Sequence, residues 1–104
     1  MEATQQFERL VDHFADREHV TLPSDAGGRA FGSEAIKVGG SIFAMLVGGR
    51  LVVKLPAERV QQLIDAADAT AFEGSRGRPM REWAAITAAD WTALAEEAYT
   101  FVAR

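Results

Sequence analysis

Between Ala35 and Leu55 the chain reads AIKVGGSIFAMLVGGRLVVKL: three runs of aliphatic and β-branched residues, parted by Gly39-Gly40 and Gly48-Gly49. Paired glycines supply the positive φ that two-residue hairpin turns need, so the pattern predicts a three-stranded antiparallel meander. Taking both pairs as two-residue turns sets Ile36 opposite Phe43, Leu46 opposite Leu51, Met45 opposite Val52 and Ala44 opposite Val53, and opposite residues share a face. One face then carries Ile42, Ala44, Leu46, Leu51, Val53 and Leu55 and is the expected core. The other carries Ile36, Val38, Phe43, Met45 and Val52, with Arg50 and Lys54 at its margins. That second set is too apolar for an ordinary solvated face, so a cover is expected over it. A change of one residue in either turn would turn the outer strand over.

Outside the meander the period changes from two to that of a helix. Phe7, Leu10, Val11 and Phe14 make an apolar stripe from Glu2 to about Asp16, and Val60, Leu63, Ile64 and Ala67 make a second from Pro56 to about Ala69. Val20 to Pro23 reads as a short first strand, and Arg81 to Ile86, with Trp83, Ala85 and Ile86, as a later one. Thr87 followed by Asp90 resembles a capping box ahead of a last helix lined by Trp91, Leu94, Ala95, Ala98 and Val102. The expected fold is a single domain, residues 1–104, of the α+β class: a two-layer sandwich with an antiparallel sheet, the meander plus a later strand, packed against three helices. Its core should hold Phe7, Leu10, Leu46, Leu51, Val53, Val60, Leu63, Ile64, Trp91 and Leu94.

Composition narrows the function classes. Fifteen acidic against eleven basic residues give a formal charge of -4 over 104 residues, so no global basic field draws the chain onto nucleic acid. There is no cysteine, which removes disulfides, thiolate chemistry and cysteine-based zinc sites. The N-terminus, MEATQQFERL, lacks a signal-peptide pattern, and no run approaches the roughly 20 apolar residues of a membrane span. A soluble cytoplasmic protein with no membrane partner is expected. Ser24 to Gly28 is turn-rich but lacks the spaced glycines and Lys-Ser or Lys-Thr of a phosphate loop. His13 and His19 read as surface or half-buried histidines, too few for a metal site, and Asp65 with Asp68 or Glu96 with Glu97 read as solvated helix faces. No catalytic centre, metal or cofactor is expected.

The polar cluster that stands out is Arg76, Arg78 and Arg81 around Gly77 and Pro79, because guanidinium forks suit phosphate and carboxylate. The alternative is structural: one arginine bonds turn carbonyls and the others are solvated. Trp83 nearby reads as a core residue of its strand, with base stacking as the second reading.

Gly-Arg-Pro-Met at Gly77 to Met80 followed by Trp83, Phe31-Gly32 before the meander, the Gly-x-Ile-Phe-Ala run at Gly40 to Ala44 and the strand lysine Lys54 together resemble the TfoX N-terminal domain family, related to MmcQ/YjbR-like proteins. The resemblance covers about Phe31 to Val102. It implies a compact α+β domain and a regulatory or protein-interaction role in a bacterium, and it supplies no catalytic centre. Two functions are therefore expected in competition. One is a non-catalytic module with a protein partner, a homodimer through Ile36, Phe43, Met45 and Val52 being one form of it. The other is a weak nucleic-acid binder using Arg76, Arg78 and Arg81.

Overall fold

Both glycine pairs turn the chain in two residues. Gly39 and Gly40 have φ of +58° and +85°, and Gly48 and Gly49 of +58° and +78°, left-handed values at both turn positions that match the twist of the flanking strands. The computed structural model describes residues 3–22, 34–73 and 79–103. Its elements run α1 (Ala3–Phe14), β1 (Val20–Thr21), β2 (Glu34–Val38), β3 (Ser41–Val47), β4 (Arg50–Lys54), α2 (Ala57–Asp65), β5 (Ala69–Glu73), β6 (Pro79–Ile86) and α3 (Trp91–Val102). The strands form one antiparallel sheet in the order β1-β2-β3-β4-β6-β5. The α+β sandwich expected from the sequence is the observed architecture.

The β3–β4 register is the expected one, with Ala44 opposite Val53, Met45 opposite Val52 and Leu46 opposite Leu51. The β2–β3 register is not. It begins as expected at the turn, Val38 opposite Ser41 and Lys37 opposite Ile42, but Ile36 then pairs with Ala44. Phe43 is therefore an extra residue in β3, a bulge that places two successive side chains on the same side of the sheet. Phe43 and Ala44 both have 0% exposure and both lie in the core, as do Ile36 and Val38. This corrects the expected sorting: Ile36, Val38 and Phe43 belong to the core face, while Ile42, opposite Lys37, belongs to the other.

One cluster joins the layers. Phe7, Leu10 and Phe14 of α1, Val60 and Leu63 of α2, and Leu94, Ala95 and Ala98 of α3 pack with Leu51, Val53, Ala84 and Ile86 of the sheet. All three helices thus cover the same face. Leu46, Ile64 and Trp91 are only partly buried, packed against this cluster. The Phe14 and Phe43 rings meet edge to face with centroids 5.0 Å apart, and Tyr99 lies 5.7 Å and 5.6 Å from them.

Two further boundaries differ from the sequence expectation. α2 ends at Asp65, four residues early, because Ala67 takes a φ of +62°. The Asp68 N–H then donates to the Leu63 carbonyl and the Ala67 N–H to that of Ile64, the paired bonds that close a helix through a left-handed residue. The chain freed by this stop forms β5, an unexpected strand beside β6. At α3 the cap is Asp90 itself, whose Oδ1 accepts from the N–H groups of Thr92 at 2.9 Å and Ala93 at 3.4 Å. Thr87 takes no part in that cap and donates to the Ala67 carbonyl instead.

Candidate interaction surface

Strand alternation and cross-strand pairing fix what stands on the face of the sheet turned away from the helices. Its central row runs Ala35, Met45, Val52, Ala85, Thr70, each opposite the next across five strands. Val52 and Ala85 are buried yet lie outside the helix-facing cluster. Met45 is half-buried. On one side of this row stand Val47 and Arg50, opposite each other; on the other stand Lys54 opposite Trp83 and Lys37 opposite Ile42. Val47 is 39% exposed, unusual for a large apolar residue in this chain.

Charge on this face is one-sided. Lys37, Arg50 and Lys54 are cations, and no carboxylate occupies any of the described positions that the register assigns to the same side. In a chain of net charge -4 that is a local reversal of sign. The Lys54 Nζ stands 5.8 Å from the centroid of the Trp83 ring, and the Arg50 guanidinium donates to Thr70 Oγ1 at 3.4 Å. An ammonium over an indole is held by the ring quadrupole, worth about 0.5–1 kcal/mol at an exposed site. Trp83 is therefore not the core residue expected from the sequence: it is half-buried on the far face.

Of the residues expected to form a protein interface, Met45 and Val52 lie on this face, whereas Ile36 and Phe43 lie beneath the helices. Of the expected anion-contact residues, Arg81 is exposed on β6, while Arg76 and Arg78 lie outside the described residues, as do Gly77, Phe31 and Gly32. Lys37 was not singled out from the sequence, because the bulge that brings it alongside Lys54 has no glycine to announce it. Arg50 and Lys54 were legible as one side of β4 by their spacing of four.

The helix layer carries the paired charges. At the end of α1, Arg17 Nη1 donates to Glu96 Oε1 of α3 at 2.9 Å, Nη2 makes a second bond to Oε2, and His13 Nε2 stands 2.6 Å from Oε2. The same guanidinium lies over the Phe14 and Tyr99 rings, at 4.8 Å and 5.0 Å from their centroids. Arg59 of α2 holds Glu97 of α3 through Nε at 2.9 Å and Nη2 at 3.1 Å. A groove of about 450 Å³ between α2 and α3, lined by Leu55, Pro56, Arg59, Glu97 and Phe101 among others, has these paired groups along its rim. A second, polar cleft of about 700 Å³ has Arg9, Arg50 and Asp90 in its lining, but the Asp90 carboxylate is engaged in capping α3. Among the described residues no group of three or more histidine and acidic side chains could hold a metal, and no helix is long and apolar enough to cross a membrane.

Hydrogen bonds from Arg17 foremost, then from His13, lower the Glu96 carboxyl from 4.5 to about 2. A carboxylate with a depressed folded pKa adds stability that is present above its unfolded pKa and is lost as the pH falls through the folded one. Glu96→Gln should therefore lower stability at neutral pH and flatten the decline between about pH 4.5 and about pH 2. The side chain is 36% exposed, so solvent screening keeps the effect modest. Urea titrations at stepped pH on wild type and variant check it; parallel curves would remove this ion pair from the stability of the fold.

Comparison of the chain with protein-family models, with curated proteins and with solved structures finds no match in any of the three.

Proposed function

We propose that this domain is a non-catalytic regulatory module that engages a protein partner through the face of the sheet opposite its helices. The observation that carries this reading is the conjunction on one face of the accessible apolar side chains Met45, Val47 and Trp83 with three cations and, among the described positions, no carboxylate, while all three helices pack on the other side. Apolar surface rimmed by polar groups is the usual mark of an interaction site. The likeness of the Gly77 to Trp83 motif and the meander to the TfoX N-terminal domain supports a regulatory setting. A homodimer through this face is the less favoured form, since a two-fold contact apposes the same patch on both copies and sets Lys37, Arg50 and Lys54 near their own counterparts.

The test is comparative. Tagged wild type and a Met45→Glu/Val47→Glu variant are used to recover partners that are then identified by mass, with Gln61→Glu on the exposed side of α2 as the control. A partner retained by wild type and control and lost from the double variant is the expected result. Partners shared equally by all three proteins would move the binding surface elsewhere.

A weak nucleic-acid contact is the second reading, favoured by the exposed Arg81 and the cationic character of the neighbouring face. It requires duplex DNA binding that falls steeply with salt, and a shallower salt slope when Arg76, Arg78 and Arg81 become alanine.

A further inference from the structure

We draw no further inference here: the strongest candidate, the polar cleft of about 700 Å³ between α1, the β3–β4 turn and the first turn of α3 with Arg9 and Arg50 in its lining, rests on the α3 N-terminus, where the Asp90 carboxylate already accepts from Thr92 and Ala93 and the Arg50 guanidinium is engaged by Thr70, and no second observation points to a ligand.

Discussion

Phe43→Ala should lower the unfolding free energy by about 3–5 kcal/mol, the range for removing a fully buried aromatic side chain. The ring has 0% exposure and packs edge to face against both Phe14 and Tyr99, which also meet each other. Those two rings come from α1 and α3, so one truncation opens a void where both helices meet the sheet. Met45→Ala, two residues along on the opposite face and half-buried, should cost well under half as much. Denaturant titration of the two variants checks the bulge directly: in an unbroken register Phe43 would share a face with Met45, and the two losses would converge. Phe43→Glu is expected to unfold the chain, since it would bury an unpaired carboxylate, so it cannot serve to probe association.

Leu51→Ala should cost about 2–5 kcal/mol by the same route of lost burial plus residual cavity. Leu51 has no exposure, stands opposite Leu46, and follows the Gly48-Gly49 turn by one residue. Val47→Ala, beside the turn of the same hairpin and 39% exposed, should stay within about 0.5 kcal/mol as a surface change. A Leu51→Ala loss below about 1 kcal/mol in urea would mean that the site collapses around the missing methyls or that β4 presents its other side.

What the sequence disclosed, and what it concealed, follows from how each feature is encoded. Three helical stripes and two glycine pairs are strong periodic signals, and they predict α1, α2, α3 and the meander in order. The bulge at Phe43 has no such signal, because an extra residue in a strand changes neither composition nor turn chemistry; it shows only as a shift of every pairing beyond it. That single residue moved Ile36 and Phe43 from the candidate interface into the core and brought Lys37 to the open side. β5 was hidden for a related reason. Ala66 and Ala67 are good helix formers, and the left-handed stop at Ala67 is made by an alanine where glycine would have announced it. Met45 and Val52 were placed correctly because the β3–β4 hairpin keeps its register to the turn. Arg81 was legible as a surface residue, whereas the pairing of Glu96 with Arg17 joins residues 79 apart and no local pattern contains it.

The sheet order has one further effect, on how other chains can approach. Among the described residues, β1 and β5 border the sheet, and a bordering strand with free backbone groups invites a foreign strand to pair alongside. Here β1 is two residues long and the β5 register breaks between Ala71 and Glu73, so neither border offers a long regular template. The four inner strands, β2, β3, β4 and β6, are flanked on both sides. Lateral zippering into larger sheets is thereby blunted, and a visiting chain meets side chains before it meets backbone.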